Sequence, residues 1–305
     1  MAADNSRLWR SARRVLLLAV VAFCIAALVS FVMNRRRTES ARNTPSSDDE
    51  KSIVVQMRTL RSLAPDVRAR TTKDLALRIR ELPVSVNKAT LADSLASLST
   101  EGDLGQETLQ EVATTLADSL REQPQPATLT GPGAPYLELA QLVRYEQVQV
   151  ALDDPQFSAA VAQIAADDTS RQKADFALTD LQGKKWTLTE LHGKVVLVNF
   201  WATWCPPCRS EMPDLQSLYD RFKNQGFVVL AISNEDAATV RPFLDHFKIT
   251  FPVLLDAGDS VNGEYKISGI PKSFVYDRGG NLVAQAIDMR TAAQFQAMVA
   301  HAGLH

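Results

Sequence analysis

Apolar residues are spread along the chain in three successive regimes. From Val15 to Met33 they run without a break, VLLLAVVAFCIAALVSFVM, 19 residues with no charge among them. At about 1.5 Å per residue such a helix reaches about 28 Å, the hydrocarbon thickness of a bilayer, so the run predicts a transmembrane anchor. It ends in Phe31-Val32-Met33-Asn34 and three arginines, with no small-x-small cleavage site, and is read as uncleaved. Bulky Phe23 before Cys24 argues against lipoprotein processing, which leaves Cys24 as a small apolar filler. Residues 34–51 carry hardly any apolar side chains and predict a solvated linker. From Ser52 to about Glu122 apolar positions recur at three and four, as in Leu91, Leu95, Leu98 and in Leu109, Val112, Leu116, Leu120. That is the helical period, with breaks near Pro65 and Gly102. A Pro/Gly-rich stretch, Gln123 to Pro135, is followed by two more helical patterns at about 136–152 and 156–166. The hexapeptide TLADSL occurs at 90–95 and again at 115–120, which fits a helical repeat or plain low complexity.

The pattern changes at about Asp175. Phe176 and Leu178 alternate with polar residues, Gln182-Gly183-Lys184 supplies a turn, and Trp186 and Leu188 alternate again, a hairpin signature. Val195 to Trp201, VVLVNFW, is apolar at nearly every position, as in a strand buried on both faces. A helix through Met212, Leu215, Leu218, Tyr219 and Phe222 stops near Gly226. A second buried strand, Phe227 to Ile232, precedes a polar helix containing Phe243 and Phe247. Strands Ser273–Tyr276 and Leu282–Ala286, joined by Asp277-Arg278-Gly279-Gly280-Asn281, and a last helix at about 291–302 complete the chain. This order predicts an α/β unit, one mixed sheet covered by helices.

Length and composition narrow the function classes. A chain of 305 residues suggests two folded units. With 33 basic and 35 acidic residues the net charge is −2, which argues against a protein that grips nucleic acid by its phosphates. Three cysteines are too few for a disulfide scaffold or a four-cysteine zinc site, and His192, His246, His301 and His305 have no finger-like spacing from them. No metal, nucleotide or flavin motif is apparent, and no cofactor is expected. The region 52–170 shows no cluster of histidines, cysteines or paired carboxylates, and reads as a helical stalk or domain that holds a partner or self-associates.

The chemistry concentrates at Cys205-Pro206-Pro207-Cys208, four residues after the long strand. At the mouth of a helix, unsatisfied N–H groups and the positive dipole end favour an anion, so Cys205 is placed to be a thiolate, the attacking species in disulfide exchange. Cys208, one helical turn on, is close enough to close a disulfide and to release a mixed disulfide by attacking Cys205. A purely structural disulfide would close a very short loop and stabilise little.

Several residues resemble those of the TlpA/ResA-like branch of the thioredoxin superfamily, within the wider redoxin or AhpC/TSA-like group. They are Gly193-Lys194, the run Asn199-Phe200-Trp201-Ala202-Thr203-Trp204-Cys205-Pro206-Pro207-Cys208, Glu211 and Pro213, and Gly269-Ile270-Pro271. The likeness covers about 172–305 and leaves 1–171 out. It implies a thioredoxin fold with an N-terminal β-hairpin extension, and a redox-active disulfide between Cys205 and Cys208. It implies a cis bond before Pro271 beside the reactive cysteine, with the main chain of Ile270 pairing to an extended substrate. Glu211 takes the place of an acidic residue that influences cysteine ionisation; a solvated carboxylate is the plainer alternative. Trp204 and Trp201 are expected to wall the substrate groove, with a core role open for Trp201. Asn199 departs from the buried aspartate of thioredoxin, which leaves Glu211 as the nearby group able to take a proton from Cys208, with Arg209 opposing it by favouring thiolate.

Because Pro206 and Pro207 lack N–H groups, the Cys205 thiolate has few donors, chiefly the N–H of Cys208. A less stabilised reduced form means a more reducing pair, hence a reductase of protein disulfides. Two other classes remain open on the residues alone. A thiol peroxidase of the same fold would want a threonine three residues before its cysteine, whereas Thr203 is two before; a dithiol could also simply hold a metal or partner. Flanking charges, Arg7, Arg10, Arg13 and Arg14 against Arg35, Arg36, Arg37, Arg42 and Lys51, do not orient the anchor. Disulfide chemistry does, since it is useful in an oxidising space. The expected layout is a cytoplasmic tail 1–14, an anchor 15–33 in the bilayer of a bacterial inner membrane, a linker 34–51, helices over 52–170, and a redox domain 172–305 facing the periplasm. The family resemblance implies disulfide-bearing client proteins, such as apocytochrome c in cytochrome c maturation or the clients of a general reductant, and a membrane thiol–disulfide electron donor.

Overall fold

The computed structural model describes residues 48–305, so the tail 1–14, the anchor 15–33 and nearly all of the linker lie outside the described residues. Among the described residues no helix is long and apolar enough to cross a membrane. Five helices come first: α1 (Asp48–Thr59), α2 (Pro65–Glu81), α3 (Val86–Ser99), α4 (Gln106–Glu122) and α5 (Ala134–Tyr145). Their starts follow local chemistry. Pro65 opens α2 where a missing N–H costs nothing, and the Ser85 hydroxyl caps α3 by accepting the N–H of Lys88. The apolar stripes meet in one core containing Ile53, Leu75, Ile79, Leu95, Leu116, Leu120, Tyr136 and Leu139. The repeated hexapeptide falls on α3 and α4, and its leucines Leu91, Leu95, Leu116 and Leu120 all enter that core.

The helical pattern expected at 136–152 ends early, at Tyr145. Beyond it Val148, Val150 and Leu152 alternate with more exposed residues, which is the extended period, and Gln110 straps the segment by bonding both the N–H and the carbonyl of Gln149. The next helix, α6 (Pro155–Lys173), is longer than its expected 156–166. Asp154 caps it by accepting the N–H of Gln156, and its last turns are held by the following domain. There, Arg171 Nε donates to the carbonyl of Tyr265 (2.9 Å), the Tyr276 hydroxyl donates to the carbonyl of Arg171 (2.9 Å), and Gln172 bonds Gly280 and Leu282. Residues 49–305 accordingly form one unit.

A short antiparallel hairpin, β1 (Ala177–Thr179) and β2 (Lys185–Thr187), leads into the central sheet. That sheet contains β3 (Val195–Phe200), β4 (Phe227–Ser233), β5 (Val253–Leu255), β6 (Lys272–Tyr276) and β7 (Leu282–Ala286), in the order β5-β4-β3-β6-β7. β3, β4 and β5 are parallel, β6 runs antiparallel to β3, and β7 runs antiparallel to β6. The helices are α7 (Pro206–Phe222), α8 (Ala237–Phe247), the short α9 (Ser260–Glu264) and α10 (Ala292–Ala300). This is the mixed sheet of the thioredoxin fold. Strand β5 and helix α9 were not expected from the pattern; three residues at an edge are too few to display a period.

β3 is buried along its whole length and feeds two cores. Val195 and Leu197 point to the side of α7 and α10, where Met212, Leu215, Phe222, Phe295 and Val299 pack. Val196, Val198 and Phe200 point to the other side, against Phe176, Tyr265 and Phe274. The period of two then sets Asn199 on the α7 side, a polar residue in an otherwise apolar row.

Candidate active site

The turn from β3 into α7 carries the two cysteines. Thr203 fixes this turn: its N–H and hydroxyl both donate to the Glu235 carboxylate beyond β4, at 2.6 and 2.7 Å. Its hydroxyl is thereby committed to Glu235. Cys205 is the N-cap of α7, and its sulfur accepts the N–H of Cys208 at 3.2 Å. Pro206 and Pro207 occupy the first helical positions and offer no donor. Cys205 and Cys208 are joined as a disulfide with their Cα atoms 5.3 Å apart. Cys208 is fully buried and Cys205 is only 2% exposed, its sulfur turned toward its partner. Accessible surface here belongs to Trp204, 68% exposed, and to Pro206 and Gly269.

Across the sheet end, the Ile270–Pro271 peptide is cis, and the Ile270 carbonyl oxygen lies 3.8 Å from the Cys205 sulfur. The structure thus brings Cys205, Cys208, Ile270 and Pro271 together, with Trp204 on the rim. Trp201 separates from them. It is buried and its ring packs on Phe243 with centroids 5.1 Å apart, so it belongs to the core and not to a groove wall.

Glu211 is not a solvated carboxylate. It sits three residues after Cys208, on the same buried face of α7, and is 1% exposed. One oxygen accepts the Asn199 side-chain N–H at 2.8 Å, and the other accepts the main-chain N–H of Arg290 at 3.2 Å. Asn199 also donates to the Ser273 hydroxyl at 3.0 Å. Burial pushes the Glu211 carboxyl up to about 8, outweighing these donors and the Arg290 charge, with nearby Asp288 adding to the rise. Ser273, Arg290 and Glu235 were not picked out from sequence. The antiparallel register pairs Ser273 with Asn199 and could have revealed the first; no spacing signals the other two. Among the described residues no group of three or more His, Cys, Asp or Glu is placed to hold a metal ion.

The AhpC/TSA family model matches residues 170–285. ResA of Bacillus thuringiensis (strain Al Hakam), a thiol–disulfide oxidoreductase, is 38% identical over 127 residues, which are 41% of this chain and 73% of ResA. The chain belongs to the ResA-like thiol–disulfide oxidoreductases. ResA of Halalkalibacterium halodurans is 36% identical over 137 residues, 45% of this chain and 78% of that one. A crystal structure of a thiol:disulfide interchange protein of the thioredoxin family from Chlorobium tepidum TLS is 34% identical, covering 42% of this chain and 92% of its own, with a TM-score of 0.40. The helices preceding α6 lie outside the residues matched by the family model.

The buried carboxyl has a measurable signature. Its folded-state value of about 8 is above the ordinary 4.5, so the native protein holds a proton that the unfolded chain has released. The associated stabilisation is complete below about 4.5 and is lost as pH rises through about 8. Glu211→Gln should therefore gain stability relative to the parent as pH rises from 5 to 8.5, by a few kcal/mol in urea titrations of the oxidised proteins. Parallel pH–stability curves for the two proteins would contradict this assignment.

Proposed function

We propose that the chain is a single-pass protein of the bacterial cytoplasmic membrane, held in the bilayer by residues 15–33, whose redox domain faces the periplasm and reduces disulfides in client proteins. The observation that carries the reading is the bonded Cys205–Cys208 pair at the start of α7, with the Ile270 carbonyl 3.8 Å from the first sulfur. Membership of an oxidoreductase family supplies the chemistry. The uncharged 19-residue run supplies the tether, and an oxidising compartment is where tethered disulfide exchange has use.

In the reduced state the Cys205 thiolate attacks one sulfur of a client disulfide, forming a mixed disulfide and expelling the other client sulfur as thiolate. The client segment lies along Trp204 and the main chain of Ile270 and Pro271. Cys208 then attacks the Cys205 sulfur, the Cys205–Cys208 bond forms, and the second client sulfur leaves. Two electrons pass from the dithiol to the client. Glu211 takes the Cys208 proton, a role suited to a carboxyl poised near the working pH. A membrane thiol–disulfide donor returns two electrons and resets the pair. Clients are proteins with accessible disulfides, apocytochrome c among them.

The pair is assigned to reduction because the Cys205 sulfur meets a single helix-mouth donor, the Cys208 N–H, and the prolines leave a thiolate at that position no other there. Three measurements follow. Cys208→Ser should accumulate a mixed disulfide with client proteins while Cys205→Ser traps none; trapping by neither variant would leave a binding module. Equilibrium titration should give a potential below about −180 mV, the disulfide-isomerase range, and a higher value reverses the direction of flow. A membrane-impermeant thiol reagent should label the reduced domain in cells with a permeabilised outer membrane, and protection until the inner membrane is lysed would place the domain inside.

A further inference from the structure

The loop between β7 and α10 is held by the helical layer at several points. The turn after α3 provides most of them. Gly102 donates its N–H to the Met289 carbonyl at 2.9 Å, and the Thr100 hydroxyl donates to Asp288 at 3.1 Å. The carbonyls of that turn accept from the other side: Thr100 from Arg290 Nη1 and Gly102 from Gln294, each at 3.2 Å. Arg290 Nη2 also pairs with Glu146, just past α5. Gly102 has φ +83° and the Met289 methyl is within 3.4 Å of where its Cβ would sit, so a glycine suits this approach. The turn is itself braced, because Arg61 and Arg68 both bond Glu101.

This gripped loop presents the Arg290 main-chain N–H to Glu211, the carboxyl one helical turn from Cys208. Arg290 is buried, with its guanidinium facing the helical layer and its main chain facing the redox helix. We propose that the helical layer is a positioning element for the thiol chemistry: by gripping Arg290 through Thr100 and Glu146, it holds the main-chain donor that orients Glu211. The proposal rests on the reading of Glu211 as the proton partner of Cys208. It assigns Arg290 and Glu146 as positioning residues that touch neither sulfur nor client.

The groups around Glu211 define what must be controlled. Asn199 reaches it from β3, and Arg290 and Asp288 face it from the loop. Asp288 in turn faces Lys272 of β6 and Glu101, and Lys272 faces Glu138 of α5 and Arg171 of α6. Releasing Arg290 takes a cation and a donor from the charged form of Glu211 and leaves Asp288 in place. The carboxyl should then ionise at higher pH.

The test is the pH profile of disulfide reduction by the full-length protein. The parent profile should contain a step that Glu211→Gln removes. Arg290→Ala and Glu146→Ala should move that step upward by about one pH unit, about a tenfold fall in the ionised fraction at pH 7. Arg290→Lys, which keeps a cation opposite Glu146, should restore much of it, and reports on the loop should the alanine variant fold poorly. If Glu211→Gln leaves the profile unchanged, the reading of Glu211 falls, and this inference with it. If Glu211→Gln removes the step but the Arg290 and Glu146 variants leave it in place, the positioning role alone is overturned. The same holds if Arg290→Ala displaces the profile equally in a Glu211→Gln background.

Discussion

A carboxyl group sealed from water must either find donors or keep its proton, and at Glu211 both tendencies act. Taking a carboxylate out of solvent costs several kcal/mol, and each N–H donor to a charged acceptor returns roughly 1.5–3 kcal/mol. Two donors, from Asn199 and the Arg290 main chain, therefore come close to compensating without fully doing so. The outcome is a group pushed up to about 8, near enough to neutrality to exchange a proton. Each donor belongs to a different element, one to the central strand β3 and one to the loop before α10. The positions of the strand, the loop and the redox helix are all tied to this one side chain.

That constraint explains why a polar residue stands in the most buried strand. Asn199 shares a sheet face with Val195 and Leu197, whose side chains enter the apolar core beneath α7. It bonds Glu211 and the Ser273 hydroxyl instead. An amide carries both a donor and an acceptor but does not titrate, so it can support Glu211 without competing for the proton. At the helix mouth the balance is different. The Cys205 sulfur receives one N–H, from Cys208, and the proline rings remove two others. A helix N-terminus contributes about 0.3–1 kcal/mol to a nearby anion, less than a good charge-assisted hydrogen bond, so the missing donors weigh more than the dipole that remains.

Much of the redox domain was legible because its elements are long and regular. The run VVLVNFW could hardly be other than a doubly buried strand, and the cysteine pair four residues later had to fall at a helix start. Strand β5 was not legible, since Val253–Leu255 is defined by its pairing with β4 and not by any period of its own. The burial of Glu211 was half legible: its spacing from Cys208 sets it on the inner face of α7, but a carboxylate in the first turns of a helix more often faces water. Trp201 was ambiguous for a related reason, as consecutive aromatic positions at a strand end point to different sides. Arg290 was not legible at all. Its side chain is held by a contact nearly two hundred residues away along the chain, with Thr100, and nothing in the local pattern around it marks one.

The distribution of contacts across the helical layer bears on how the enzyme meets its clients. Hydrogen bonds between residues of α1–α6 with their loops and the redox domain fall on Thr189, on Glu264 and Tyr265, on Tyr276, on Gly280 to Gln285, and on Asp288 to Gln294. Among the described residues none of those bonds reaches the turn from Trp204 to Cys208 or the main chain of Ile270. The exposed face of Trp204 is thus left uncovered. A layer that approaches the back of the site can influence the proton-bearing group without obstructing the sulfur. A cap over the cysteines would restrict which disulfides could enter, whereas a grip on the Arg290 loop leaves that entry open and reaches only the Glu211 side of the helix. On that ground the contacts of the helical layer fit the positioning role proposed for it, because they meet the Glu211 side of the site and not the side from which a disulfide would enter.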